Sequence, residues 1–403
     1  MPRYIHLLIL LTLLQIASCT KTPTSPIWNG KADTSWHTAD TSATEFTITT
    51  AEQLAGLAKL VNNGNDFKGK TINLSANIML NDTTDWQNWA TKPPKNKWKP
   101  IGKYIEEIEK PNFIGHLGIT LLSLIPDSTQ RALRLKPTRL DFEGTFDGNG
   151  YVVSGVYINS EKGYQGLFGC ANGELKNLGV ISSYIKGKEF VGGLVGTIYG
   201  TVSNSYSSVY VIGAYSTGGL AGNAGDLIGR GSTIINSYSA SIVKGVMSVG
   251  GLVGHGGTII NSYSSAEVSG AGHVGGLVGL TSEETIINSY STGIVIGNTV
   301  IDDGGCTGGL IGFNASGNTI VNSYSASIVK GVECVGGLVG GTEEDKNISN
   351  SYYDIQASEQ NDTDKGEGKT TEQMKRKETF EDWDFESVWG MDSTINNGYP
   401  YLR

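Results

Sequence analysis

Apolar and polar positions in the middle of the chain fall into short runs rich in β-branched and aromatic residues, as in Thr258-Ile-Ile-Asn-Ser-Tyr-Ser264, and each unit closes on a glycine-rich phrase such as Val274-Gly-Gly-Leu-Val-Gly279. The pattern itself then recurs. A Gly-Leu with a second Gly two residues on returns at Leu167, Leu194, Leu220, Leu252, Leu277, Leu310 and Leu338. Asn-Ser-Tyr returns at Asn204, Asn236, Asn261, Asn288, Asn322 and Asn350, at spacings of 25 to 34 residues. Short β-branched and aromatic runs bounded by Gly predict strands. A period in this range predicts a solenoid, whose units bury their apolar faces only by stacking on neighbours.

The register inside each unit is tight. A Val stands seven residues after the Asn (Val211, Val243, Val268, Val295, Val329) and a Gly nine after it (Gly213, Gly245, Gly270, Gly297, Gly331). The closing Leu follows at sixteen, except after Asn288, where about six extra residues intervene near Asn298 to Asp303. Other length variation falls between the Leu and the next Asn. Constant strands with variable corners are what stacking requires, because only strands pair with their neighbours. Two copies, Thr233 to Gly254 and Thr319 to Gly340, differ at three positions.

Val, Ile, Thr, Tyr and Ser fill the runs, and no Pro occurs from Thr138 to Gly398. These residues favour strands bounded by Gly corners. A helix would lose about 1 kcal/mol at each of its glycines. The expected fold is therefore all-β: a parallel β-helix with one coil per repeat, rising about 4.8 Å per coil.

The interleaved Gly-Gly-Leu-x-Gly and Asn-Ser-Tyr-Ser phrases resemble the GLUG motif, over roughly residues 141 to 353. That resemblance implies a bacterial surface or secreted protein. The family includes adhesin-like chains and the non-catalytic parts of IgA-protease-type metallopeptidases. Trp98 to Gly102 and Phe142 to Gly150 are similar to segments that precede such arrays.

The flanks divide the remainder. Residues 1–19 have the form of a lipoprotein signal peptide: Arg3, an apolar core from Leu7 to Leu14, then Ile16-Ala-Ser-Cys19. The core is too short to span a bilayer as a helix, and the last four residues resemble a lipobox that would acylate Cys19. Residues 20–45 are a tether and lead-in. Residues 46–140 are an N-terminal cap with the first coils. There Thr49 or Thr50 can cap a helix over 51–62 whose stripe is Leu54, Leu57, Ala58 and Val61, placed to cover the open end of the solenoid. Within that stretch 103–140 is an insert, read as a helical protrusion. Residues 354–403 form a C-terminal loop and cap whose aromatics are expected to cover the last coil.

Composition narrows the function. Net charge is −9 with 17% charged residues, and no basic patch suits nucleic acid. The asparagine column (Asn204, Asn236, Asn261, Asn288, Asn322, Asn350) is expected to form a structural amide ladder along the stack. The tyrosine column (Tyr206, Tyr238, Tyr263, Tyr290, Tyr324, Tyr352) is read as packing, with exposed rings stacking on sugars as the alternative. His37, His116, His255 and His273 read as isolated surface or loop residues, His6 falls in the leader, and no His-Glu-x-x-His occurs. Glu283-Glu284, Asp302-Asp303 and Glu343-Glu344-Asp345 read as solvated corners without a calcium-loop spacing. Lys244 and Lys330 share an outward position, but no catalytic constellation surrounds them. No metal or cofactor is implied.

Cys306 and Cys334 each stand four residues before a closing Leu of consecutive repeats. In-register stacking would bring their Cα atoms within disulfide range, and an inter-coil disulfide is expected, with Cys170 left free. The combined reading is a lipid-anchored outer-membrane or cell-surface protein. Its partners would be the membrane, through Cys19, and a host protein, cell or glycan. A carbohydrate-active β-helix enzyme and a passive spacer remain the alternatives.

Overall fold

The computed structural model describes residues 25–105, 138–225, 231–298, 304–315, 317–343 and 347–403. The leader with Cys19, His6 and His116, the body of the 103–140 insert with its expected helix, Asp302-Asp303 and Glu344-Asp345 lie outside these residues.

The fold is a parallel β-helix. Four long sheets run along it, and each repeat contributes to all four. The first sheet collects the Thr-Ile-Ile strands. It begins before the repeats, at Glu45–Ile48, passes through Thr71–Leu74 and Thr145–Asp147, and ends at Asn347–Ser349. The second holds the Tyr-Ser and Ile-Val-Lys strands, and the third and fourth hold the two halves of each Val-Gly-Gly-Leu-Val-Gly phrase. Pairing is in register: Thr233, Ile234 and Ile235 face Thr258, Ile259 and Ile260. Lys244 and Lys330 therefore fall three coils apart, joined through Ser269 and Ile296.

The central column is the motif leucine. Leu194, Leu220, Leu252, Leu277, Leu310 and Leu338 have no exposed surface, and Ile234, Ile259 and Ile320 pack beside them. The glycines of the motif exist because the chain turns against itself here. A Cβ on Gly251 would lie 2.1 Å from both the Gly276 carbonyl oxygen and Ser264 Oγ. One on Gly250 would lie 1.9 Å from the Val253 carbonyl oxygen. No side chain fits at either place.

At the N-terminal end the helix Ala51–Val61 closes the stack. Thr50 and Gln53 form a reciprocal capping box, and Leu54, Leu57, Ala58 and Val61 are buried on the first coils. His37 is a correction to the surface reading. It is buried among Trp36, Phe46 and Phe67 and bonds Asn65 at 3.1 Å. The mouth of the 103–140 insert is closed by antiparallel pairing of Lys103–Ile105 with Thr138–Leu140.

The C-terminal segment covers the last coil and also reaches beyond it. Its first part does cap the end. Glu367–Lys369 adds a strand to Tyr352–Asp354, Asp362 accepts the Gly337 N–H at 2.9 Å, and Lys365 donates to the Gly340 carbonyl at 2.5 Å. Its aromatic part covers the last coil, with Phe380 5.4 Å from Tyr352 and Trp383 donating to the Asn350 carbonyl at 3.0 Å, and then runs back along the flank. Met374, Phe380, Trp383, Phe385, Trp389 and Tyr399 bury Tyr290, Tyr324 and Tyr352 from the side. The physical reason is area: the end needs only a few polar partners for its strand edges, whereas the tyrosine column offers a long apolar flank.

Candidate functional site

The corner between the first and second sheets builds the candidate site. Each Asn of the Asn-Ser-Tyr phrase takes a left-handed backbone: φ is 48° at Asn204, 49° at Asn236, 48° at Asn261, 48° at Asn288, 49° at Asn322 and 44° at Asn350. Asn is the side-chain-bearing residue that best tolerates this region. It turns the chain so that the next two residues point in opposite directions, Ser inward and Tyr to the flank.

The amide column is interrupted. Asn204 donates to Asn177 at 3.3 Å, Asn236 to Asn204 at 3.2 Å, and Asn288 to Asn261 at 3.1 Å. Asn177 in turn donates to Asp147 at 2.9 Å, so the column runs further toward the N-terminus than the Asn-Ser-Tyr phrases indicate. Among the described residues, Asn236 Oδ1 and Asn261 Nδ2 have no side-chain partner, and Oδ1 of Asn322 is buried without one.

The continuous ladder is made by serine. The backbone N–H of Leu178, Ser205, Ser237, Ser262, Ser289 and Ser323 each donates to the hydroxyl of the serine one coil on, at 3.1–3.2 Å. Those serines are buried. Sequence reasoning passed over them because an interior Ser carries no hydropathy signal. Their fixed place after every column Asn was the available clue.

The tyrosine rings stack on one another. Centroids from Tyr206 through Tyr238, Tyr263 and Tyr290 to Tyr324 are 4.8–5.0 Å apart and nearly parallel. Tyr206 covers Gly179 on the far side. Tyr352 keeps the register but meets Phe380 edge-on at 5.4 Å. Because ring faces are occupied by other rings, the column offers edges and hydroxyls outward, and sugar stacking on the faces is not available. Burial raises the Tyr238 phenol above its ordinary value and pushes Tyr263 up to about 12, so both remain neutral donors.

The returning tail divides this flank. It covers Tyr290, Tyr324 and Tyr352, packs against the partly buried Tyr263, and leaves Tyr206 and Tyr238 partly buried beyond its edge. At the boundary lies a cleft of about 560 Å³, lined by Asn204, Asn236, Tyr238, Asn261 and Tyr263 on the solenoid and by Ser387, Val388, Leu402 and Arg403 on the tail. Arg403 is held in place by donating to the Trp389 carbonyl at 2.8 Å and the Phe385 carbonyl at 3.0 Å.

The other sequence candidates lie elsewhere. Cys306 and Cys334 are joined by a disulfide with Cα atoms 4.7 Å apart, and Cys170 is free and buried. Glu284 is not the solvated corner residue expected. It is partly buried, accepts N–H bonds from Gly257 and Ser282 at 2.9 Å each, and its carboxyl is raised by burial. His255 sits in a strand opposite Leu280, and His273 stacks on Phe313 at 4.7 Å. Among the described residues no group of three or more His, Cys, Asp and Glu could hold a metal ion, and no helix is long and apolar enough to cross a membrane.

No protein-family model matches this chain. A "Putative Gly-rich membrane protein" of Evansella cellulosilytica is 35% identical over 127 residues, 30% of this chain, and the chain spans only 14% of that protein's length. Among solved structures, the "putative immunoglobulin A1 protease from Bacteroides ovatus" is similar with a TM-score of 0.52, covering 89% of this chain and 92% of that one at 20% identity. At that identity the likeness is one of fold, the parallel β-helix.

Proposed function

We propose that this chain is a lipid-anchored protein of a bacterial surface, and that its β-helix serves as a binding rod for a host, a neighbouring cell or a polysaccharide. The observation that carries the reading is the divided flank. The tail seals half of the tyrosine column and leaves the other half beside a cleft walled by amides, phenols and one guanidinium. A spacer has no need of such a boundary. The lipobox-like Ile16 to Cys19 and the partial likeness to a Gly-rich membrane protein support the location. Fold by itself does not specify function, and the proteolytic description of the structural neighbour belongs to that protein.

The test has two arms. The full chain is expected to fractionate with membranes, and Cys19→Ala to release it or leave an unprocessed precursor. In a panel of glycans and host surface proteins, the full chain is expected to retain at least one ligand. Unchanged membrane fractionation of Cys19→Ala would remove the anchor, and an empty panel would remove the binding role.

A further inference from the structure

We infer that a strip of exposed lysines at the N-terminal end of the solenoid docks on anionic lipid headgroups of the membrane that holds the chain. The inference rests on the lipid-anchor reading and adds an electrostatic contact to it.

Lys92, Lys95, Lys97, Lys99 and Lys103 fall in a stretch, Trp86 to Ile105, that contains no Asp or Glu. In a chain of net charge −9 this is a local reversal that the overall balance hides. All five are exposed. None takes part in an ion pair among the described residues.

The residues between the lysines set their direction. Asn96 and Trp98 are buried. The Asn96 backbone N–H donates to Asn81 Oδ1 at 3.0 Å, and its side-chain amide donates to the Leu80 carbonyl at 3.1 Å. Trp98 donates its backbone N–H to the Tyr157 carbonyl at 2.9 Å and its indole N–H to the Leu167 carbonyl at 3.0 Å. With alternate residues locked inward, Lys95, Lys97 and Lys99 are exposed together. Successive Cα atoms of these three are at most about 7 Å apart, within the Debye length of about 10 Å at 0.1 M salt. The ammonium groups therefore repel one another without a protein counter-charge, and a surface of negative charge relieves that repulsion.

The same two buried residues seat the chain where it arrives from the leader. The Asn96 amide donates to the Trp28 carbonyl at 2.6 Å, and the Trp28 N–H donates to the Met79 carbonyl at 3.0 Å. The Trp28 and Trp98 rings meet edge to face at 5.8 Å. Just before them, the Ser25 hydroxyl donates to the Asn77 carbonyl at 2.8 Å. Between Cys19 and Ser25 the chain can span at most roughly 20 Å. An acylated Cys19 therefore keeps the lysine end of the solenoid at the headgroups. Phosphate-bearing headgroups carry the complementary charge, and a lipid chain beside a basic patch is a two-part membrane contact. Docking of this end leaves the later coils, with the tail and the tyrosine flank, farther from the membrane.

The test footprints lysines on the full acylated chain, floated with vesicles of phosphatidylglycerol and phosphatidylethanolamine in equal parts or of phosphatidylcholine alone. Acetylation is read by mass spectrometry. The five lysines should react at least about fivefold more slowly on the anionic vesicles, the change expected of one lysine held at a charged lipid surface. The difference should vanish near 1 M salt, where the screening length is about 3 Å. Lys330 and Lys375, exposed on a late coil and on the tail, should react equally on both. In Lys95→Gln/Lys97→Gln/Lys99→Gln the protection of Lys92 and Lys103 should be lost, with circular dichroism checking that the variant is folded. A chain that floats with both vesicles and shows equal reactivity on them overturns the inference and leaves the anchor standing. Flotation with anionic vesicles alone, lost in the triple variant, removes the anchor and keeps the strip. Flotation with neither removes both. Protection by a DNA duplex without protection by anionic vesicles also overturns the inference.

Discussion

The hydroxyl of Ser262 accepts the backbone N–H of Ser237, one coil earlier, at 3.1 Å and donates to the carbonyl of Ile260 in its own coil at 2.8 Å. One buried side chain thus satisfies a corner N–H of the neighbouring coil and a carbonyl of its own. Because the arrangement repeats from Leu178 to Ser351, the serine column ties successive coils together where the strands break.

Replacing Ser262 by Ala leaves the Ser237 N–H buried without an acceptor. The expected loss is about 1–3 kcal/mol. Ser265→Ala, three residues on and partly exposed, should change stability by less than about 0.5 kcal/mol. Chemical denaturation of the two variants decides it; equal midpoints would remove the serine ladder from the account.

The asparagine corners distinguish backbone from amide. Asn261 and Asn350 share the left-handed conformation, but only Asn261 has a rung, from Asn288. If conformation dominates, Leu at either position should be less stable than Gly at the same position by about 1–2 kcal/mol. If the amide rung dominates, Asn261→Leu and Asn261→Gly should lose equally and Asn350 should be nearly silent. Thermal melts of the four variants separate the two accounts.

The disulfide between Cys306 and Cys334 closes a span of 28 residues. In the chain-entropy picture such a loop contributes roughly 3–4 kcal/mol. Denatured, unreduced protein with Cys19 acylated should titrate one thiol, that of Cys170. Reduction should lower the unfolding midpoint, and the Cys306→Ser/Cys334→Ser pair should reproduce the reduced value. Three free thiols would contradict the bond.

Burial lowers the pKa of His255 below the ordinary 6.5. Its folded form resists protonation, whereas the unfolded chain accepts a proton near 6.5. Stability attached to this residue is therefore constant above that pH and falls as pH drops below it. The adjacent coil places Leu280 at the same register. His255→Leu should accordingly flatten part of the decline in unfolding midpoint between pH 7 and 5, and an unchanged slope would refute the assignment.

Much of the solenoid was legible because its constraints act on neighbouring residues in sequence. The Leu column, the paired glycines and the Thr50–Gln53 capping box all declare themselves within a few positions. The rest depends on what lies one coil away. The Asn residues read as a ladder because amides can stack, but their stricter requirement is a left-handed corner, which no side-chain pattern announces. Ser262 reads as a polar strand residue until its partner, Ser237, is placed 25 residues away. The tail was read as a lid because its aromatics follow the last repeat. Only folding shows that Phe380, Trp383 and Trp389 return to Tyr290 and Tyr324 and so create the edge of the cleft.

The central claim is that the open half of this flank binds a surface. The most direct measurement is attachment of cells displaying the full chain to polysaccharide-coated and host-cell-coated surfaces, compared with cells lacking it. The account predicts attachment that rises with display and is lost with Cys19→Ala. Attachment that is the same with and without the chain, on every surface, would contradict it.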